Sequence, residues 1–250
     1  MSIPDLTIVL PCYNAASFVH ASLTTLTAYL HTLPLRWEIL AVDDGSQDGT
    51  RELLAQWDGP NFRWVGYTSN RGKGAAVKTG MLAARGRQRI FTDLDLPYEL
   101  SAIERCYERL AEGDLAVFGS RLLPESSQAI TPPLIRRIGS RLFAAVAGLV
   151  IGRADLDTQC GFKGFNGTLA DALFPLLRID GFAFDVELSY LLTAAGVDVT
   201  TIPVRLVNHD VSTVTILGSG LRSFLDVGRI AIWQLAGKYR VDVHHQLRPE

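Results

Sequence analysis

The chain has 250 residues, of which 48% are hydrophobic and 20% are charged, a composition typical of a globular protein with one sizeable core. This composition excludes a disordered or collagen-like chain. The formal net charge is −2, so the chain lacks the basic excess of most nucleic-acid-binding proteins, and we expect no nucleic acid partner.

In the first half of the chain, short apolar runs alternate with helical patterns. The predicted strands are Leu6–Leu10, Trp37–Val42, Phe62–Tyr67, Arg89–Thr92 and Leu115–Gly119. The predicted helices between them are Ser17–Leu30, Thr50–Gln56, Gly74–Ala84 and Ser101–Glu112. This alternation predicts an α/β fold, Rossmann-like, with a mostly parallel sheet covered by helices on both faces.

The second half is less regular and begins with a loop at Ser120–Pro133. The patterns that follow predict helices at Leu134–Ile151, Asp185–Ala195 and Leu221–Leu235, and strands at Gly161–Phe165 and Val199–Val204. The tail from Lys238 is polar. We find no repeat and no low-complexity linker, and we therefore predict a single domain over residues 1–250.

Neither the cysteines nor the apolar runs indicate a secreted or membrane-spanning protein. The cysteines, Cys12, Cys106 and Cys160, are too widely spaced for a disulfide framework or a zinc site. The N-terminus lacks the features of a secretory signal. The longest apolar run, Leu142–Ile151, is about half the length of a membrane-spanning helix. We therefore expect a cytoplasmic protein that does not cross a membrane.

Polar side chains follow the predicted strands at their carboxyl ends, where open α/β sheets bind ligands. They are Pro11, Tyr13 and Asn14 after the first strand, Asp43 and Asp44 after the second, Asn70 to Lys73 after the third, Asp93 and Asp95 after the fourth, and Arg121 after the fifth. The chain has no dinucleotide-binding glycine motif after the first strand and no P-loop motif, so neither of those nucleotide sites is supported.

Asp93 and Asp95 flank one leucine, so in an extended segment both carboxylates point to the same side. Two such carboxylates suit Mg²⁺ or Mn²⁺ held together with substrate phosphates. A capped turn is the common alternative for this tripeptide, but the second acidic pair at Asp43 and Asp44 favours the metal. Lys73 lies between two glycines just before a helix, whose N-terminus favours an anion, and is a candidate for pyrophosphate binding.

Together these motifs resemble the inverting glycosyltransferases of family 2, which have the GT-A fold. The matching segments are VLPCYN (9–14), VDDGSQDGT (42–50), NRGKGAAVKTGM (70–81) and TDLDLP (92–97). Within that family, three further segments resemble the polyprenyl-phosphate glycosyltransferases, a group that includes dolichyl-phosphate β-glucosyltransferases. They are FGSRLL (118–123), DTQCGFKGF (157–165) and GFAFDVEL (181–188).

The resemblance implies transfer of a hexose, expected to be glucose from UDP-glucose, to a polyprenyl phosphate. The implied donor-binding residues are Pro11, Tyr13, Asp43, Asp44, Lys73, Asp93 and Gln159, and the implied ligands of Mg²⁺ or Mn²⁺ are Asp93 and Asp95. The implied contacts of the acceptor phosphate are Arg121, Arg137, Lys163 and Arg205. The expected catalytic residues are Asp95, Arg121 and Asp157, the last of which is also placed in the sugar pocket.

The resemblance also divides the predicted domain by function. Residues 1–120 would form the nucleotide-sugar half, residues 121–212 the acceptor half, and residues 213–250 an amphipathic helix and a polar tail. Two positions depart from the family pattern: Ala15 replaces the usual glutamate, and Thr213 stands where a lysine or arginine is common. Arg205 or His209 would then have to supply the missing cation.

A lipid acceptor requires a surface that faces the membrane. The segment Arg136–Ile151 begins with basic residues and ends apolar, and Leu221–Leu235 is apolar on one side. Each fits either a bilayer surface or an ordinary core helix, and the second also fits a partner protein. We predict a peripheral location on the inner face of the membrane, and a membrane-protein partner or a homo-oligomer stays open.

Three other functions compete with this interpretation. A soluble hydroxyl acceptor would need a general base, for which Asp157 is the candidate, whereas a phosphate acceptor is already anionic and mainly needs cations. A nucleotidyltransferase would need a basic, glycine-rich loop after the first strand, which is absent. A non-catalytic module that binds a nucleotide sugar is supported by the departures at Ala15 and Thr213 alone.

Overall fold

The structure is a computed structural model that describes residues 3–126, 134–153, 155–207 and 216–239, without the side chains of 134–138, 140–141 and 216–219. A seven-stranded sheet has the order β3-β2-β1-β4-β6-β5-β7. The strands are β1 (Leu6–Cys12), β2 (Trp37–Asp44), β3 (Phe62–Tyr67), β4 (Gln88–Phe91), β5 (Ala116–Ser120), β6 (Lys163–Asn166) and β7 (Val199–Pro203). Strand β6 is antiparallel to both of its neighbours, and the other pairs are parallel.

Eight α-helices surround this sheet in the described part of the chain. They are α1 (Val19–Leu30), α2 (Thr50–Gln56), α3 (Lys73–Ala83), α4 (Ser101–Ala111), α5 (Leu134–Ile151), α6 (Gly167–Leu173), α7 (Phe184–Ala194) and α8 (Ile216–Leu235). A short 3₁₀ turn, Phe174–Leu176, follows α6. None of the helices in the described ranges combines the length and apolar character needed to cross a bilayer.

The apolar residues of the strands alternate between two cores, one on each face of the sheet. Along β1, Ile8 and Leu10 pack with α1 and α4, whereas Val9 packs with α3, α7 and α8 on the opposite face. Successive strand side chains point to opposite faces, so a strand that is apolar throughout is buried on both. The predicted parallel α/β architecture with helices on both faces is confirmed.

The structure differs from the prediction mainly around β6. The strand was expected at Gly161–Phe165 and lies instead at Lys163–Asn166, where it is the antiparallel member of the mostly parallel sheet. Helix α6 was not predicted: it follows the strand directly, and the Asn166 side chain caps it by accepting a hydrogen bond from the Thr168 amide (2.9 Å). Helix α8 also starts five residues earlier than predicted, at Ile216.

Candidate active site

The carboxyl ends of β1, β2 and β4 lie side by side, because these strands are neighbouring and parallel. This places the segments containing Tyr13, Asp43 and Asp44, and Asp93 at one edge of the sheet, as predicted from chain order. Tyr13 keeps 47% of its surface exposed, whereas Asp43 and Asp44 are buried. The Tyr13 ring is therefore open to a ligand, whereas the two carboxylates accept hydrogen bonds from groups within the protein.

Asp44 holds the loop that carries Lys73. Its carboxylate oxygens accept hydrogen bonds from the Arg71 amide (2.7 Å), the Gly72 amide (2.9 Å) and the Asn70 side chain (2.9 Å). Burial raises the pKa of Asp44 although the Arg71 and Gly72 amides oppose the shift. Asp44 therefore fixes the start of α3 in place, and its predicted contact with the donor would have to share an already occupied carboxylate.

Asp43 is fully buried and is neutralised by Arg51 of α2, whose Nε lies 2.9 Å from Asp43 Oδ2. Its second oxygen accepts the Ser46 amide at 3.0 Å. Arg51 also donates to the Tyr67 carbonyl at the end of β3. Arg51 was not among the predicted site residues, although a carboxylate at the end of a buried strand requires a partner cation.

Lys73 and Asp93 form an ion pair across the edge of the sheet, with 2.5 Å between Lys73 Nζ and Asp93 Oδ1. Burial opposes the charged form of Lys73, but Asp93, Asp185 and Asp95 outweigh it and raise the lysine pKa. Both side chains remain partly exposed. A cation and a carboxylate that can both reach a ligand therefore stand in direct contact.

Asp95 is a half-buried carboxyl group at this edge whose acidity is strongly perturbed. Burial and the neighbouring charge of Asp93 raise the pKa of Asp95 to about 6, although Lys73 opposes the shift. Two carboxylates that repel each other in a half-buried position form a site for positive charge. Asp93 and Asp95 thus fit the predicted role of divalent-cation ligands by the chemistry of the pair.

The predicted acceptor half approaches this carboxylate pair through Gly161. A Cβ atom at Gly161 would lie 2.4 Å from Asp93 Oδ2 and 3.4 Å from Lys73 Nζ, so the absent side chain is what permits the approach. The Gly161 amide donates to the Tyr98 hydroxyl at 3.3 Å. The segment TQCG (158–161), called the TQCG segment below, is therefore in direct contact with the Lys73–Asp93 pair.

Arg121 and Asp157 form a bidentate ion pair next to this segment. Arg121 Nε and Nη2 lie 2.9 and 2.8 Å from the two carboxylate oxygens, and the Arg121 amide donates to the same carboxylate at 2.9 Å. Burial favours the neutral acid, but Arg121 outweighs it and lowers the pKa of Asp157. A carboxylate held in this way is a weak proton acceptor, which argues against Asp157 as a general base.

Arg205 lies at the strand end beside that of Arg121. The last residues of β5 and β7, Ser120 and Pro203, are register partners, and the Val204 amide donates to the Ser120 carbonyl at 3.3 Å. Arg121 follows Ser120 directly, Arg205 comes two residues after Pro203, and the Arg205 side chain is exposed. The two cations predicted for the acceptor phosphate therefore come from adjacent parallel strands.

The prediction that Lys163 faces the acceptor phosphate does not agree with its position, because the side chain is fully buried. Lys163 Nζ donates to Asp185 Oδ1 (2.6 Å) and to the carbonyls of Thr158 (3.0 Å) and Cys160 (2.7 Å). All of its donors thus have internal partners. Lys163 is instead a buried cation that holds the TQCG segment through its hydrogen bonds to the Thr158 and Cys160 carbonyls.

The remaining predicted residues are less informative. Pro11 is half-buried in β1, and Gln159 is exposed on the TQCG segment. Ala15 is buried, and its amide donates to the Thr50 hydroxyl at 2.7 Å. The side chain of Arg137 and all of residues 208–215, including His209 and Thr213, lie outside the described parts of the structure.

An open groove of about 670 Å³ lies between α1 and the start of α4, with Asp95 among its lining residues. Its lining is mainly aromatic and aliphatic, with Phe18, Tyr29, Tyr98 and Leu100 among the contributors. The lining residues include Asp95 and Glu99 but neither lysine nor arginine. This groove is therefore unsuited to a phosphate group.

Comparison with known proteins agrees with this architecture. Residues 7–174 match the family described as Glycosyl transferase family 2, and the chain belongs to this family of glycosyltransferases. The dolichyl-phosphate beta-glucosyltransferase of Drosophila melanogaster is 32% identical over 95% of this chain and 77% of its own length. The enzyme of the same name from Saccharomyces cerevisiae is 29% identical over 94% of this chain and 76% of its own length.

Solved structures identify the fold as GT-A. Glucosyl-3-phosphoglycerate synthase from Mycobacterium tuberculosis, crystallised with Mn²⁺, UDP-glucose and phosphoglyceric acid, superposes with a TM-score of 0.66 at 16% identity, covering 91% of this chain and 80% of its own. Mannosyl-3-phosphoglycerate synthase from Rubrobacter xylanophilus gives 0.67 at 18% identity, covering 98% and 77%. At such identities the likeness concerns the fold alone.

Proposed function

We propose that the protein transfers glucose from UDP-glucose to a polyprenyl phosphate, with inversion at the anomeric carbon, at the cytoplasmic surface of a membrane. The observation that carries this proposal is the contact of the Lys73–Asp93 pair with the TQCG segment. This contact joins a site suited to the donor diphosphate with the site of the acceptor arginines. The names of the relatives, dolichyl-phosphate beta-glucosyltransferases, support the sugar and the class of acceptor.

A divalent cation fits the carboxylate pair. Among the described residues, no group of three or more His, Cys, Asp or Glu side chains forms a complete metal cage. Mg²⁺ is commonly held by one or two carboxylates together with substrate phosphates, which matches Asp93 and Asp95. Mn²⁺ or Mg²⁺ bound there would supply positive charge beside the leaving diphosphate, as expected for the cofactor of this reaction.

The diphosphate of the donor would lie over the N-terminus of α3. Asp44 holds the backbone of Arg71 and Gly72 in place, so the start of α3 and the Lys73 that it carries have a fixed position at this edge of the sheet. Fixed donors of this kind stabilise charge that develops on the leaving group without further reorganisation. Exposed Tyr13 and the buried Asp43–Arg51 pair would form the wall beside the base.

The cations at the strand ends favour a phosphate acceptor over a hydroxyl acceptor. Arg121 and Arg205 follow paired ends of β5 and β7, and the Asp157 carboxylate, the candidate base, is held by Arg121. A phosphate monoester is anionic near neutral pH and needs no strong base. Its recognition depends on cations, and the guanidinium group suits phosphate oxygens.

The transfer step then requires no proton removal. An oxygen of the acceptor phosphate forms the new bond to the anomeric carbon on the face opposite the donor diphosphate. The bond from that carbon to the diphosphate breaks, and its electron pair goes to the diphosphate oxygen. Lys73 stabilises the charge that accumulates there, while Arg121 and Arg205 orient the attacking phosphate.

The membrane-facing surface proposed for the lipid consists of α5 and α8, which pack together through an edge-to-face contact of Phe143 and Phe224 at 5.3 Å. Half of the twelve exposed large hydrophobic residues in the described part of the chain lie on these two helices. They are Leu142, Leu149, Leu221, Leu225, Ile232 and Leu235. On α8 they recur at helical spacing, with exposed Arg222 and Arg229 beside them, which suits an anionic bilayer.

Transfer from radiolabelled UDP-glucose to polyprenyl phosphate, with Mn²⁺ or with EDTA, tests the proposal. We expect label in the organic phase that requires the metal and is lost in Asp95→Ala. Metal-dependent label that stays in the aqueous phase with a soluble phosphate or hydroxyl compound would contradict the lipid acceptor. Absence of any nucleotide-sugar consumption would contradict the catalytic function itself.

A further inference from the structure

Glu187 of α7 is a fully buried carboxylate that the proposed reaction does not use. Its oxygens accept hydrogen bonds from the amides of Arg178 (3.0 Å) and Ile179 (2.8 Å) and from the Tyr239 hydroxyl (2.6 Å). Burial raises the pKa of Glu187, although these donors oppose it. The residue thus connects the chain beyond α8 with the segment that precedes α7.

That segment, Arg178–Gly181, lies against the N-terminus of α3. The Ala75 amide donates to the Asp180 carbonyl at 3.2 Å. A Cβ atom at Gly72 would lie 2.5 Å from the Asp180 carbonyl oxygen, and one at Gly74 would lie 2.5 Å from that of Ile179. The glycines on both sides of Lys73 are therefore in close contact with a backbone that Glu187 holds.

The other side of the same segment faces α8 and the turn that follows it. The Arg178 guanidinium group donates to the Lys238 carbonyl at 3.2 Å and lies 5.9 Å from the ring centres of Trp233 and Tyr239. A Cβ atom at Gly181 would lie 3.3 Å from Asp226 Oδ2 of α8. Residues 178–181 are thus enclosed between the exposed apolar helix and the loop of Lys73.

We infer that Glu187 is a positioning residue that ties the end of α8, through the Arg178–Gly181 backbone, to the α3 N-terminus and so sets the place of Lys73. Lys73 is presented to the donor by a backbone whose position depends on how α8 is seated. The inference rests on the donor role proposed for Lys73. Its structural part, the tie between α8 and α3, does not depend on which nucleotide sugar is used.

The first test is amide hydrogen exchange of residues 71–76 in the full-length protein. We expect Glu187→Gln to accelerate exchange there about tenfold, the lower end of what loss of a hydrogen bond to a charged group produces. Tyr239→Phe keeps the ring and removes only the hydroxyl, and we expect a smaller acceleration at the same amides. Equal exchange of residues 71–76 in Tyr239→Phe and in wild type would overturn the tie to α8.

Glu38→Gln provides a matched control. Glu38 is also a buried glutamate that accepts a backbone amide, that of Arg85 at 3.0 Å, but it lies at the opposite end of β2 from Asp43. We expect this variant to accelerate exchange near Arg85 and not at 71–76. If Glu187→Gln loosened residues 71–76 no more than Glu38→Gln does, Glu187 would have no positioning role.

The second test separates positioning from simple loss of folded protein. We expect Glu187→Gln to raise the KM for the nucleotide sugar about tenfold and to leave the KM for the acceptor unchanged. A smaller folded fraction would instead lower the apparent kcat and leave both KM values as they are. Equal changes in both KM values would contradict the inference. If the wild-type protein consumes no nucleotide sugar, the proposed function fails, and the exchange at residues 71–76 decides the inference by itself.

Discussion

Lys73 Nζ lies 2.5 Å from Asp93 Oδ1, although the two residues follow different strands of the sheet. Each group therefore neutralises the other. A divalent cation on Asp93 and a diphosphate on Lys73 would both separate this pair, so each ligand removes a contact that hinders the other. Two ligands that oppose the same internal contact bind cooperatively, and the coupling is reciprocal.

Replacement of Lys73 by methionine is therefore expected to have opposite effects on the two ligands. Without the ammonium group, Asp93 is available to a cation, and Mn²⁺ alone should bind several-fold more tightly than to wild type. UDP in the presence of Mn²⁺ should bind at least tenfold more weakly, because the cation beside the diphosphate is lost. Calorimetric titration measures both, with Lys238→Met, an exposed lysine, as the control. Unchanged Mn²⁺ affinity in Lys73→Met would contradict the competition.

Metal binding should weaken as the pH falls through about 6. Burial and Asp93 raise the pKa of Asp95 to about 6, so below that value a proton occupies the carboxyl group that the cation needs. The Mn²⁺ dissociation constant should rise about tenfold per pH unit below 6 and level off above about 7. Asp95→Asn should bind Mn²⁺ weakly at every pH between 5 and 8. A wild-type affinity that is flat between pH 5 and 7 would show that Asp95 is not a ligand.

Asp157→Asn distinguishes a structural carboxylate from a general base. The substitution leaves Arg121 without its counter-charge, which should cost about 2–3 kcal/mol, less than the ~3–5 kcal/mol of a fully buried pair because the arginine side chain keeps 30% exposure. Activity should fall at all pH values. The loss of rate on the acid side of the pH profile should still occur near pH 6, the pKa of Asp95. Disappearance of this acid-side loss of rate in Asp157→Asn would support a base and a hydroxyl acceptor.

Lys163→Met tests whether Lys163 is structural. The variant leaves Asp185 buried without its cation, so the free energy of unfolding should drop by about 3–5 kcal/mol in a denaturant titration. The double variant Lys163→Met/Asp185→Leu removes both charges and should recover most of that loss. A small stability loss combined with a large rise in acceptor KM would instead restore the phosphate-binding role first predicted for Lys163.

The strand-end residues were predictable from chain order, because parallel strands place their carboxyl ends at one edge whatever the packing details are. Asp43, Asp44, Lys73 and Asp93 needed no coordinates to be grouped. Their partners were not predictable in the same way. Lys163 and Asp185 are 22 residues apart, and they meet only because β6 pairs beside β4 and the start of α7 packs against it.

The ion pair of Arg121 shows the same limit of prediction from sequence. Arg121 was predictable as a cation after β5, but its bidentate partner Asp157 lies 36 residues later, in the segment that follows α5. A pattern of residue types identifies which groups carry charge at an edge. It does not identify which of them neutralise one another, because that choice depends on distances and burial that arise only when the layers pack.

The exposed stripe of α8 provides the test of membrane binding. Leu221, Leu225 and Ile232 are 67%, 61% and 64% exposed, so glutamine at all three positions should leave the fold intact. Each side chain that enters the bilayer is expected to contribute about 1 kcal/mol, below the value for full burial, so flotation with anionic vesicles should weaken on the order of 100-fold. The matched control replaces Ile3, Leu82 and Leu122, which are also exposed but lie outside α5 and α8, and should float like wild type. Equal flotation of the two triple variants would locate the membrane contact elsewhere on the molecule.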